Sequence, residues 1–379
     1  MPRSGSVDRG TLDLEAHMAK PTTPRLMLPR PHEAQAMSVI APTQRAIHWG
    51  HLRAIACVVA AFFTLLMTGV KAQSQTVPPP DVVRLPAGLN RGGTSFYDGF
   101  GSTDPGWIFL NYSRWNHLTS VKDNNGDNSP LFVSPRVEAL SNLFHVVYIS
   151  PISVPNGALA FEAILPIVGF KSRFNPSGLA LHDNGWNFGD LTFGVDYQSK
   201  PISFGGTSVF SWRTGLDFVA PTGGFDASRD LNQSSGFWSI TPYLAATVLP
   251  IPKWEISTRF SYDYNLSTTR GANPPIIPGF AFHDGQAGQA FWINFASSYE
   301  MFDGIRPGVN GYWLQQLTDD RTNGFSISRT RVEEELYLGP GLSWQINQQS
   351  VLNFNGYIPV SMKNTLAGPQ FNIQHIHQF

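Results

Sequence analysis

Nine charged side chains recur on the polar phase of segments that otherwise alternate polar and apolar residues: Glu138, Glu162, Asp190, Asp196, Arg213, Asp217, Glu255, Arg259 and Asp263. Carboxylates and guanidinium groups interleaved on one face can pair with one another or line a water-filled path. They show no nucleophile beside a base, and the chain contains no G-x-S-x-G, H-E-x-x-H or phosphate-cradling loop, so neither a catalytic residue nor a cofactor is expected. Three other groupings have the residue types of metal ligands. His375 and His377 stand at i, i+2 on one face, Asp319 and Asp320 adjoin in "LTDD", and "DNNGD" covers 123–127. The last places its Gly fourth where the EF-hand loop needs it sixth, and no Glu follows at the right spacing. These positions are expected to be an interfacial histidine pair, a loop cap and a solvated loop, with no metal.

The elements that would hold the nine charges are strands. In "WEISTRFSYDYNL", Trp254, Ile256, Thr258, Phe260, Tyr262, Tyr264 and Leu266 fall on one face, and Glu255, Ser257, Arg259, Ser261, Asp263 and Asn265 on the other. Side chains alternate sides along a strand, so this segment has one apolar and one charged face. "LTFGVDY" and "FSWRTGLDF" repeat the pattern. Alternation alone suits a soluble sandwich or a membrane barrel.

Composition and connection lengths separate the two. Only 14% of residues are charged while 13% are aromatic, with 35 Gly, 29 Pro and a net charge of -1. That charge offers nothing to a nucleic acid, and the aromatic content exceeds what a soluble sheet would easily hide. Short connections ("QSKP", "PIPK", "MFDGIRPG", "NQQS") alternate with long polar ones ("KSRFNPSGLALHDNGWN", "PTGGFDASRDLNQSSG", "STTRGANPPIIPGFAFHDGQAG", "TDDRTNGFSISRTR"). Outer-membrane barrels sort their loops this way, with short periplasmic turns and long extracellular loops. The expected fold is therefore all-β: a transmembrane antiparallel up-and-down barrel of about 12 strands over 107-379. The strands are placed near 107-116, 132-148, 157-169, 188-197, 207-220, 237-249, 253-266, 289-300, 307-317, 334-346, 351-360 and 370-379.

Upstream, the apolar run Ala54 to Val70 follows Arg45 and Arg53 and precedes "VKA" ending at Ala72. Positive region, apolar region and small-residue site in that order read as a cleaved signal peptide. Residues 1-72 are thus assigned to an N-terminal extension and signal peptide, with Met37 a candidate initiator, and 73-106 to a Pro/Gly-rich periplasmic linker or plug. The single Cys57 lies in the apolar run and leaves no disulfide framework for the exported chain. At the other end, "FNIQHIHQF" puts Phe371, Ile373, His377 and Phe379 on one face of a closing strand, the form of an assembly signal read by the outer-membrane insertion machinery.

The stretches "NFGDLTFG" (187-194), "VAPTGGFD" (219-226), "GFWSITPYLAATV" (236-248), "QQLTDDRTNG" (315-324) and "YLGPGLSW" (337-344) together resemble the meta-pathway phenol-degradation family of bacterial outer-membrane proteins. The resemblance runs from about Trp107 to Phe379. It implies a β-barrel associated with breakdown of aromatic compounds and with passing hydrophobic substrates inward, and it carries over no catalytic residue.

These readings converge on an outer-membrane channel or transporter-like barrel for small hydrophobic or aromatic compounds. Its expected partners are outer-membrane lipid, the assembly machinery and a small aromatic ligand. Loops 271-288 and 318-333 would form the mouth, with "NPPIIPGFAF" (273-282) as an apolar docking surface. The alternatives are a lipase-like surface enzyme and a structural or adhesive barrel with a filled lumen.

Overall fold

The computed structural model describes residues 82–276, 278–327 and 332–379; the signal-peptide reading of 1-72 lies outside them. The alternating segments form twelve strands: β1 (Gly106–Leu118), β2 (Arg136–Val154), β3 (Gly157–Arg173), β4 (Leu191–Ser199), β5 (Thr207–Ala220), β6 (Ser239–Ile251), β7 (Trp254–Asn265), β8 (Ala290–Tyr299), β9 (Ile305–Gln316), β10 (Glu334–Gln345), β11 (Ser350–Lys363) and β12 (Gln370–Gln378). Each pairs antiparallel with its neighbours in sequence, and β12 returns to β1 in register Ile108↔Gln378 through Asn116↔Gln370. The sheet is a closed 12-strand barrel, so every strand edge is paired, as hydrocarbon demands.

Period-two alternation gives the wall two different faces. Along β7, Glu255, Ser257, Arg259, Ser261, Asp263 and Asn265 are buried inward, while Trp254, Ile256, Phe260 and Tyr264 are exposed outward. The outward band continues through Phe161, Leu165, Phe193, Val309, Leu338 and Ile358. Aromatics mark its edges. Trp107, Trp254, Tyr299, Trp344 and Phe379 are exposed at the short-turn end, and Trp115, Trp186, Phe188 and Trp238 at the long-loop end. An apolar band between two aromatic girdles is the lipid-facing surface of a transmembrane barrel.

Turn chemistry explains the short end. β2 and β3 are joined by Pro155–Asn156, with Asn156 at φ 54, and β6 and β7 turn through Lys253 at φ 71. Asn tolerates the left-handed region that a tight hairpin requires, whereas Lys253 is held there against its preference. Among the described residues, the long connections within 119–135, 174–190, 221–238, 266–289 and 317–333 lie at the opposite end, together with the six-residue turn 364–369.

The barrel interior holds a chain segment as well as side chains. Residues 82–105 run along the lumen from the long-loop end, where the Val82 carbonyl accepts a hydrogen bond from the Ala272 amide at 2.8 Å. They emerge at the short-turn end to enter β1 at Gly106, with Ser102 accepting a hydrogen bond from Gln378. Leu85 and Leu89 pack with Ala290, Trp292 and Leu314 of the wall in one buried apolar cluster.

Candidate functional site in the barrel lumen

Each level of the lumen fixes the threaded segment by a different means. Near the long loops, the Arg91 guanidinium donates to Glu333 at 2.7 Å and to Glu335 at 2.9 Å. One turn of wall lower, the Asn90 carbonyl accepts from the Trp292 indole at 2.9 Å and from Asn294 at 2.8 Å. Gly92 then passes against the ring stack of Tyr312, Tyr337 and Tyr357. Its amide donates to Asn294 Oδ1 at 2.9 Å and its carbonyl accepts from the Tyr357 hydroxyl at 2.7 Å. A Cβ at Gly92 would lie 2.8 Å from the Tyr312 ring and 2.9 Å from the Tyr357 ring, so glycine is what lets the backbone approach the wall.

The middle of the lumen carries the charge. Asp98 Oδ2 accepts from Arg259 Nε at 2.8 Å, and Oδ1 accepts from Arg259 Nη2 and Arg213 Nη2, each at 2.8 Å. The Arg259 guanidinium also sits over the Tyr243 ring at 4.0 Å, and the Tyr243 hydroxyl donates to Asp196 Oδ1 at 2.5 Å. Beside this centre, Glu162, Asp196 and Asp217 bring carboxylate oxygens within 4.8 Å of one another, and His145 Nε2 contacts Glu162 at 2.8 Å. Charge-assisted hydrogen bonds are shorter and stronger than neutral ones, so the Asp98 clasp is a charged anchor of the segment, as is Arg91. Lower down, Gly99 donates to Thr247 Oγ1 at 2.9 Å and its carbonyl accepts from Gln198 at 3.0 Å.

The nine charged positions separate into three groups. Glu162, Asp196, Arg213, Asp217, Glu255, Arg259 and Asp263 point into the lumen, held there by β3, β4, β5 and β7. Asp190 lies just before β4 at the rim. Its Oδ1 accepts from the Gly223 amide and its Oδ2 from the amide and hydroxyl of Ser235, so it ties the 221–238 loop to the barrel and lines no path. Glu138 departs from the sequence expectation altogether. It shares the outward phase of β2 with the exposed Leu140, Phe144 and Val146, and accepts from the Trp115 indole at 2.8 Å and from Arg136 at 3.1 Å. The cause is that β2 has polar residues on both phases. Asn142 also faces outward, bonded to Asn111 and Ser113, while His145 faces inward.

The three groupings with metal-ligand residue types lie apart from the lumen charges. In 123–127, Asp123 Oδ1 accepts from the amides of Asn125 and Asp127, which closes the loop on itself. Asp320 accepts from the Gly288 amide at 2.6 Å and from Gln316 at 3.0 Å, and Asp319 accepts from Ser326. His375 and His377 lie on the outward phase of β12 with Phe371 and Phe379, and His377 Nδ1 contacts the Ser350 hydroxyl at 2.8 Å. In the 273–282 stretch, Ile276 is fully exposed and Asn273 donates through its amide to the Ala227 carbonyl.

Arg91 and Asp98 were missed as site residues because they precede the first strand and belong to no alternating pattern. The available signal was that they are isolated charges in a stretch rich in glycine, "LNRGGTSFYDGFG". A charge that must be buried needs a partner elsewhere, and frequent Gly permits close backbone approach to a wall.

One solved structure shares this fold and a second covers a similar length of chain at a lower score. An outer membrane channel from Pseudomonas putida F1 superposes with a TM-score of 0.63 at 12% identity, covering 75% of this chain and 98% of that one. The β-domain of the Bordetella autotransporter BrkA, at 11% identity, covers 73% of this chain and 100% of its own, with a TM-score of 0.42. A search of curated proteins found no match. The family model described as "Putative MetA-pathway of phenol degradation" matches residues 119–374, well over half of the sequence, and the chain belongs to that family.

Proposed function

We propose that this protein is an outer-membrane channel for small hydrophobic or aromatic compounds, and that its lumen is held closed by its own residues 82–105. The family association with aromatic breakdown supports the solute class, and the barrel with its lipid-facing girdles supports the membrane setting. The observation that carries the reading is the lumen itself. Its polar wall is built to grip a peptide segment that enters at one end and leaves at the other, where it continues into β1. The proposal includes export through the signal peptide of 1-72. It also includes recognition of the outward stripe Phe371, Ile373, His377 and Phe379 by the insertion machinery.

A second reading, a structural barrel whose lumen is permanently filled, draws on the same threaded segment. Uptake of aromatic acids and phenols into vesicles carrying the purified barrel separates the two. The channel reading expects entry above that of protein-free vesicles, and a rate equal to theirs would favour the filled barrel.

A further inference from the structure

The chemistry of the solute is suggested by what the threaded segment places at mid-lumen; this step rests on the channel reading above. Arg213 and Arg259 are the charged centre of the wall. Arg259 meets one carboxylate with two parallel N–H groups at 2.8 Å, and Arg213 adds a third donor at 2.8 Å and a bond to the Asp98 carbonyl at 3.1 Å. Both ion pairs go to Asp98. Glu162, Asp196 and Asp217 lie on neighbouring strands, yet among the described residues no hydrogen bond joins either guanidinium to a carboxylate of the wall.

The fork is built by the barrel itself. Arg259 lies over the Tyr243 ring at 4.0 Å, and Tyr243 is anchored by its hydroxyl on Asp196. Nε of Arg213 is buried with no hydrogen-bond partner. A guanidinium pair presenting a planar fork is a recogniser of carboxylates, and removing Asp98 would take from the buried Arg259 and the partly buried Arg213 the carboxylate to which both are hydrogen-bonded. The segment that supplies the anion also supplies two rings, Tyr97 and Phe100, packed edge to face at 5.8 Å on either side of Asp98 in sequence. Withdrawal of the segment would vacate a carboxylate position and ring-sized space together.

We infer that Arg213 and Arg259 form a luminal binding site for a small aromatic carboxylic acid, and that Asp98 occupies it as an internal stand-in for the solute's carboxylate. Entry of the acid and release of the segment are then one exchange of carboxylates on the same two arginines. No covalent bond is made or broken.

The test is benzoate binding, measured by calorimetry on the full chain in detergent, with benzyl alcohol as the neutral analogue. Asp98→Asn removes the internal competitor and is expected to bind benzoate about ten-fold or more tighter than the wild type, the scale of a lost charge-assisted contact. Adding Arg259→Gln should abolish that gain, and benzyl alcohol should bind all these forms alike. Equal benzoate affinity in wild type and Asp98→Asn, or an unchanged affinity when Arg259→Gln is added, would overturn the site. Heat-modifiable migration on gels reports whether each variant has folded. Should Asp98→Asn fail to fold, Ser95→Cys in the otherwise native chain serves instead, because Ser95 is buried in the lumen. Benzoate should then raise its alkylation rate saturably while benzyl alcohol does not, and an unchanged rate counts against the exchange. Benzoate binding without solute flux would overturn the channel reading alone; flux without benzoate binding would overturn only the arginine site.

Discussion

Replacing Gly92 by alanine should loosen the segment from the barrel without touching a strand. Gly92 sits at φ 67, the left-handed region that costs an L-residue about 1–2 kcal/mol. The new methyl would also stand 2.8 Å from the Tyr312 ring and 2.9 Å from the Tyr357 ring. Those rings cannot easily retreat, since Tyr312 stacks on Tyr337 at 4.9 Å and meets Tyr357 edge-on at 5.7 Å. Overpacking of this kind costs about 1–3 kcal/mol. Together the two effects remove about 2–5 kcal/mol from the docked state, which lowers the ratio of docked to released segment by roughly thirty-fold to several thousand-fold. Planar-bilayer recordings should show Gly92→Ala open more often than wild type, and limited proteolysis should cut its N-terminal segment faster. Gly88→Ala is the matched control: it lies in the same segment, but its Cβ would meet nothing within 4 Å. Wild-type conductance and proteolysis in Gly92→Ala, or equal opening in Gly88→Ala, would refute the reasoning.

Two further outcomes follow from other parts of the structure. Burial lifts the Glu333 carboxyl to about 7, against the pull of Arg91 and with the nearby Glu335 adding to the rise. A carboxyl raised in the folded barrel adds stability below its unfolded value near 4.5, and that contribution is lost as pH climbs through 7. The urea midpoint of the inserted barrel should therefore fall between about pH 5 and 7.5 in wild type and lose part of that slope in Glu333→Gln; equal slopes in the two would contradict it. On the lipid face, Phe260 lies mid-strand in β7 and points outward, so Phe260→Arg should destabilise the inserted barrel by about 2–4 kcal/mol in urea titrations from vesicles. An unchanged midpoint would place that face away from hydrocarbon.

The wall was legible in the sequence because its physics is periodic. β7 must present one face to lipid and one to a polar lumen, and period-two alternation records that choice residue by residue. Loop sorting was legible for a similar reason, since one end of the barrel turns in a few residues and the other does not. Glu138 was misplaced because β2 carries hydrogen-bonding groups outward as well. Asn111, Ser113 and Asn142 satisfy one another there, so polarity alone no longer marks the inner phase. The threaded segment was the larger gap. Residues 82–105 form no regular element, and their contacts with the wall join residues about a hundred positions apart or more, such as Asp98 with Arg213 and Arg259. Nothing in the local pattern of "GGTSFYDGFG" encodes a partner that distant. The rim role of Asp190 was hidden likewise, because its bonds go to the amides of Gly223 and Ser235 across a loop.

The central claim is that this barrel is a conduit closed by its own N-terminal segment. Its most direct test is single-channel conductance of the full chain beside a chain lacking residues 84–104, both refolded into the same planar bilayers. The account predicts brief, infrequent openings for the full chain and a steady, larger conductance once the segment is gone. Equal conductance in the two, or none in either, would contradict it.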